Sequence, residues 1–129
     1  MNNEIRILLL DDDELVRESI SAFLEDEGFV VDPASTAEEA LEMLGTLQHD
    51  VCITDYTLPG MDGERLILLA HEISPHTRFI MHSGATFTLS DELLQTGFTM
   101  NDVMTKPIMR LELLTNKIMT IVGHRGVSE

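Results

Sequence analysis

Cations are scarce in this chain. Eight Lys plus Arg stand against 23 Asp plus Glu in 129 residues, for a formal net charge of -15. Phosphate backbones are held by clustered cations, so a nucleic-acid surface is not expected. The excess of carboxylates suits solubility, divalent cations or a basic patch on a protein partner. Cysteine is nearly absent: Cys52 has no second thiol to pair with, which excludes an intrachain disulfide and points to a reducing compartment. Set between apolar neighbours in "VCIT", it reads as a small buried hydrophobe rather than a reactive thiol. Long apolar runs are missing as well. The opening "MNNEIRILLLDDDE" offers only "ILLL" after an acid, too little for a signal peptide or a membrane span, so a cytoplasmic protein with no membrane partner is expected. No repeat, linker or low-complexity segment interrupts the chain. What remains is 43% hydrophobic and 24% charged, enough for one core of ordinary size. Residues 1–129 therefore read as a single domain with its core at about 4–122.

Short apolar runs alternate with longer helical patterns. Strands are expected at 5–10, 29–32, 51–54, 78–82 and, weakly, 102–105. Their near-continuous apolar character suits strands covered on both faces. Helices are expected at about 14–27, with Leu15, Ile20, Phe23 and Leu24 on one stripe; through "STAEEALEML", where Thr36 and Glu39 make a capping-box pattern; at 64–73, ending before Pro75; at roughly 89–96, capped by Thr88 or Ser90; and at about 109–122, ending before Gly123. Strand–helix alternation implies right-handed crossovers and an α/β fold, a doubly wound five-stranded parallel sheet with helices on both faces. In such folds ligands sit at the carboxyl ends of the strands, where the strand order reverses.

Those ends carry chemistry. Asp11, Asp12 and Asp13 follow the first strand, Asp55 the third, Ser83-Gly84 the fourth and Lys106-Pro107 the fifth. Crowded carboxylates repel one another, and a hard divalent ion with oxygen ligands, Mg²⁺ above all, removes the conflict. A cation beside an ionised aspartate is also what in-line phosphoryl transfer to a carboxylate requires, with a lysine sharing the charge of the equatorial oxygens. The stretch "DVCITDYTLPGMDG" fits this reading: a buried strand runs into Asp55, and turns at Pro59-Gly60 and Asp62-Gly63 shape the rim around it.

With these four motifs in order, the chain resembles the receiver domain of two-component response regulators. "ILLLDDDELVRESI" is similar to that family's acidic opening and "DVCITDYTLPGMDG" to its phosphoacceptor motif, while "FIMHSG" and "VMTKP" are similar to its switch hydroxyl and lysine-proline pair. The resemblance implies a flavodoxin-like sheet of order 2-1-3-4-5 and a signalling switch rather than an enzyme, with only partial self-catalysis of phosphorylation and dephosphorylation. It implies Asp55 as the phosphoacceptor, Asp12 binding Mg²⁺ directly, Asp11 largely through water, and the Thr57 carbonyl as a further ligand. Ser83 and Lys106 would hold the phosphoryl group, with a cis Lys106-Pro107 peptide. Partners implied are a sensor histidine kinase or phosphotransfer protein and a downstream protein on the face of the fourth helix, fifth strand and fifth helix, the chain itself being a monomer or weak dimer.

Two departures from the family pattern stand out. Val103 occupies the place where the family usually carries Tyr or Phe, leaving Phe98 as a stand-in ring, and "GFTMND" is about two residues longer than usual. The first keeps open a phosphate-independent interaction module with the same fold. An aspartate-nucleophile phosphatase is a further alternative, on the D-x-D of Asp11 and Asp13, but Leu15 is unlike that family's usual residue and 129 residues leave little room for a cap. His71, Glu72 and His76 do not make the zinc-protease motif, because the histidines are five apart with Pro75 between them. His82 is read as structural or on the surface, His49 and His124 receive no role, and Met100, Met104, Met109 and Met119 are read as core filler.

Overall fold

A computed structural model describes residues 4–84, 88–105 and 110–126. Strand β1 (Arg6–Leu10) leads to helix α1 (Glu14–Asp26), β2 (Val30–Ala34), α2 (Ala37–Thr46) and β3 (Val51–Asp55). A small hairpin, β4 (Thr57–Leu58) and β5 (Met61–Asp62), precedes α3 (Gly63–Ile73) and β6 (Arg78–Ser83). Helix α4 (Asp91–Gln95), a 3₁₀ turn at Met100–Asp102, β7 (Val103–Thr105) and α5 (Leu111–Gly126) complete the chain. The main sheet has the order β2-β1-β3-β6-β7 and every pair in it is parallel, the expected 2-1-3-4-5 once the hairpin is set aside.

Alternation along the strands sorts the core into two layers. Ile7, Leu9, Val51, Ile53 and Ile80 face Ile20 and Leu24 of α1 and Leu114, Ile118 and Ile121 of α5. Leu8, Leu10, Cys52, Phe79 and Met81 face Ala40 and Leu44 of α2, Leu66, Ile67 and Ala70 of α3, and Leu93 of α4. β1, β3 and β6 are thus apolar on both faces, and each fully buried Leu or Ile contributes about 1.5–3 kcal/mol of transfer free energy. β2 includes Pro33, which an edge strand tolerates because one side of it needs no ladder partner. Burial pushes the Cys52 thiol up to about 12, so it stays protonated and packs as a hydrophobe.

Several expectations need correction. Leu15 is 75% exposed, so the inward stripe of α1 begins after it, with Ile20 and Leu24 buried and Phe23 partly so. Thr36 caps α2 through the Glu39 N–H, but Glu39 Oε1 accepts from the Ser35 N–H at 2.8 Å, one residue outside the standard capping box. Helix α4 is only five residues long and is capped by Ser90, not Thr88. Helix α5 runs through Gly123 to Gly126. Met100 and Met119 are 54% and 51% exposed rather than core, Met104 is partly buried, and Met109 lies outside the described residues. The extra length of "GFTMND" is taken up by the 3₁₀ turn, closed by a capping box between Thr99 and Asp102. Phe98 is buried, but it shares a cleft with Thr77, Arg78 and Phe79 at the amino end of β6. Ser83 stands at the opposite end of that strand, so Phe98 does not replace the missing ring.

Candidate functional site

The chain leaves β1 for β2 on one side and later returns to β3 on the other, so the order reverses between β1 and β3. The crevice at their carboxyl ends is the site such a sheet offers. Alternation decides what stands there. Leu9 and Ile53 face the α1–α5 layer, and two residues on, the same stripe ends in Asp11 and Asp55. Both carboxylates are nearly inaccessible, at 2% and 5% exposure, whereas Asp12 is exposed at the bend before α1. Side-chain oxygens of Asp11, Asp12 and Asp55 all lie within 4.8 Å of one another. Three hard oxygen donors converging at a strand edge fit a divalent cation of the Mg²⁺ or Ca²⁺ type, and nothing in the set favours a soft metal.

The loop holding this cluster is tied down by its backbone. The Asp11 N–H donates to the Ala34 carbonyl at 3.2 Å, continuing the β1–β2 ladder one residue beyond the strand. The Asp13 N–H donates to Asp11 Oδ1 at 2.9 Å. Asp13 itself caps α1, its Oδ1 accepting from the N–H groups of Leu15 and Val16. That use of Asp13 speaks against a D-x-D nucleophile and acid pair.

On the other side, Asp55 is in register with His82 of β6, and the Tyr56 N–H donates to the His82 carbonyl at 3.1 Å. His82 is buried, so only the structural half of its reading stands. Ser83 is one residue beyond that register position, buried at the end of β6 and opposite Thr105 of β7. Thr57 is exposed and pairs with Asp62 across the hairpin. Gly60 takes φ 85 in its two-residue turn, a conformation that costs other residues more. Lys106 and Pro107 lie outside the described residues. The structure thus brings Asp11, Asp12 and Asp55 together, with Ser83 on the neighbouring strand end.

Two contributors escape sequence reasoning. Arg17 donates from Nη1 to the Asp11 carbonyl at 2.6 Å. Gly63 packs so closely on the end of β3 that a Cβ there would stand 2.5 Å from the Asp55 carbonyl oxygen, while its N–H donates to the Tyr56 carbonyl at 2.6 Å. Arg17 has a signal in hindsight, since a long side chain in the first turns of a helix points back toward its start. Gly63 has none, because it sits where a turn residue is expected anyway.

The model of the response regulator receiver domain matches residues 7–118. The chain belongs to this family. It is 29% identical over 110 residues to the cell cycle response regulator CtrA of Brucella ovis, a match spanning 85% of this chain and 47% of that protein, so the chain spans about half the length of the curated relatives it matches. Among solved structures, a CheY-like receiver domain protein from Methanospirillum hungatei JF-1 superposes with a TM-score of 0.82 at 28% identity, covering 98% of this chain and 100% of the other. The receiver domain of the hybrid histidine kinase CckA gives 0.76 at 27%, covering 91% and 98%. The receiver fold and its place in two-component signalling are thereby established, and the family implies a phosphoacceptor role. No helix among the described residues is long and apolar enough to cross a membrane.

Proposed function

We propose that this receiver accepts a phosphoryl group on Asp55 from the phosphohistidine of a sensor histidine kinase or phosphotransfer protein, in a reaction that needs Mg²⁺. The observation that carries this reading is the convergence of the Asp11, Asp12 and Asp55 carboxylates within 4.8 Å at the reversal of strand order. Asp12 would bind Mg²⁺ directly, Asp11 largely through water, and Asp55 and the Thr57 carbonyl would complete the protein ligands. The ion supplies charge neutralisation for the transferring group. An Asp55 carboxylate oxygen attacks phosphorus in line, the P–N bond of the donor breaks, and its electron pair leaves with the imidazole nitrogen, which takes up a proton. Ser83 donates a hydrogen bond to one phosphoryl oxygen, and Lys106 neutralises another. Hydrolysis by water restores the Asp55 carboxylate and releases inorganic phosphate. Turnover of this kind is partial self-catalysis in the service of a cytoplasmic switch. The exposed Thr57 side chain borders the path of that water and blocks little of it.

The test is mass spectrometry after incubation with acetyl phosphate and Mg²⁺. One phosphoryl group is expected on the wild type, and none on Asp55→Asn or with chelator present. Failure of several small donors, with no response to beryllofluoride, would favour the phosphate-independent interaction module. Val103 is the observation on that side, because it sits half-buried against the α2–α4 layer where an aromatic ring usually reports the state. Output by protein contact would use the α4, 3₁₀ and α5 side of the sheet, where Leu94, Met100 and Leu113 are each exposed. We read the protein as a monomer or weak dimer, which sedimentation with and without beryllofluoride decides.

A further inference from the structure

We infer that Arg17 is a positioning residue for the metal site, holding the Asp11–Asp12 peptide so that the three carboxylates converge. The inference rests on the Mg²⁺-dependent phosphoacceptor reading and adds a residue to it. Arg17 lies one turn into α1, and its side chain runs back along the helix toward Asp13, as helical side chains do. Its Nη1 donates to the Asp11 carbonyl oxygen at 2.6 Å, a short charge-assisted bond.

The carbonyl it holds matters more than most. Asp11 is the first residue beyond β1, where the ladder that fixed the preceding residues runs out. Its N–H is fixed by Ala34 and its carboxylate accepts from the Asp13 N–H. The carbonyl belongs to the peptide plane that leads into Asp12, so its direction sets where the exposed Asp12 side chain starts. With Arg17 in place, three separate bonds fix the N–H, the carboxylate and the carbonyl of one residue. Without it the plane can rotate, and Asp12 leaves the cluster most easily because nothing buries it. The Ser35 N–H, and to a lesser degree the charge of Arg17, keep the Glu39 carboxyl at the start of α2 below the usual range.

Two roles for this cation make opposite predictions. As a positioning group it favours metal binding. As a mere counter-charge to the carboxylates it competes with metal, and its removal would tighten binding. Isothermal titration of Mg²⁺ into the full chain separates them, using wild type, Arg17→Ala and Arg17→Lys, with thermal unfolding of the metal-free proteins alongside. Removing an outer partner of metal ligands commonly costs tenfold or more in affinity. Arg17→Ala is expected to raise the Mg²⁺ Kd about tenfold, with its metal-free melting temperature close to wild type. Arg17→Lys should recover part of the loss, since an ammonium on a long stem reaches the same carbonyl. Acetyl phosphate labelling should show a deficit at low Mg²⁺ that closes as Mg²⁺ saturates. If Arg17→Ala melts early, the Arg17→Lys titration decides. An unchanged or tighter Mg²⁺ Kd in the folded variants overturns the inference. Wild type that takes up no Mg²⁺ would instead remove the reading beneath it, and the inference with it.

Discussion

At the scale of single residues, Gly63 shows how little freedom surrounds Asp55. The main chain of α3 approaches Asp55 and Tyr56 so closely that a methyl group has no room, and the obstacle is backbone rather than a flexible side chain. Gly63→Ala is expected to cost about 1–3 kcal/mol in denaturant unfolding, the usual range for overpacking, and to slow labelling of Asp55 by moving its strand end. Wild-type stability with wild-type labelling would refute this.

A second cluster lies at the far end of the sheet, around Asp32. Its Oδ2 accepts from Arg6 Nη1 at 2.8 Å and lies 2.8 Å from Nε2 of His49, a ring with no exposed surface. Burial pushes the Asp32 carboxyl up, but hydrogen bonds with His49 and Arg6 and the Arg6 charge outweigh it and leave the carboxyl below its ordinary value. The sign of the consequence follows from linkage. A carboxyl with a lowered folded pKa contributes stability that is present above its unfolded value of about 3.9, and that contribution is lost as pH falls through the lower folded value. Asp32→Asn should therefore lose stability near neutrality and show a shallower acid limb below about pH 4 than wild type. Parallel acid limbs would sink the claim. The sequence assigns His49 no role and pairs it with nothing, since a histidine in a loop and an aspartate in a strand 17 residues earlier share no spacing rule.

At the scale of elements, helix starts do much of the work of placing the site. Asp13 is the N-cap of α1, and the same short loop carries Asp11 and Asp12, two of the three clustered carboxylates. Asp13→Ala keeps the backbone N–H that Asp11 accepts but removes the cap, so unfolding should show a loss of about 1 kcal/mol while Asp55 is still labelled. Loss of labelling in a folded Asp13→Ala protein would return Asp13 to the chemistry. Helix α4 is shorter than its sequence pattern suggested, because the run from Thr88 to Ser90 is used to approach α3 instead. There the Ser90 N–H donates to Glu64 Oε2 at 3.1 Å, and the Ser90 side chain then caps the five-residue helix. The element types were legible because their apolar periods are clear. Their ends were not, because competing caps a residue or two apart differ by less than tertiary contacts such as Glu64–Ser90 supply.

At the scale of the whole molecule, a net charge of -15 works against compactness, and any added salt relieves some of that repulsion. Mg²⁺ should do more than screen. At constant ionic strength it is expected to raise the melting temperature of wild type by mass action, about 2.7 kcal/mol at a hundredfold excess over Kd. Asp12→Asn should respond only as it does to monovalent salt. Equal Mg²⁺ responses in both proteins would place the ion elsewhere. The exposed apolar residues of α4, the 3₁₀ turn and α5 belong to this scale as well, since Met100 and Met119 read as core filler in the sequence and stand open in the fold. Methionine counts toward hydrophobicity wherever it stands, and only packing tells a filled core position from an open face.

The sequence by itself determined the alternation of strands and helices, the parallel sheet, and the carboxylates at the strand ends. These follow from local periodicity, from turn chemistry and from the handedness of crossovers, all of which act over a few residues. Tertiary structure decided what depends on atoms far apart in the chain. It brought Asp11 and Asp12 to Asp55, more than forty positions away, within 4.8 Å. It turned Leu15 outward, buried His49 against Asp32, and seated Gly63 on the backbone of Asp55. The reason is one of range. A hydrophobic stripe states which way a side chain faces, but the neighbour it meets is chosen by strand order and register, and no stretch of the chain carries those alone.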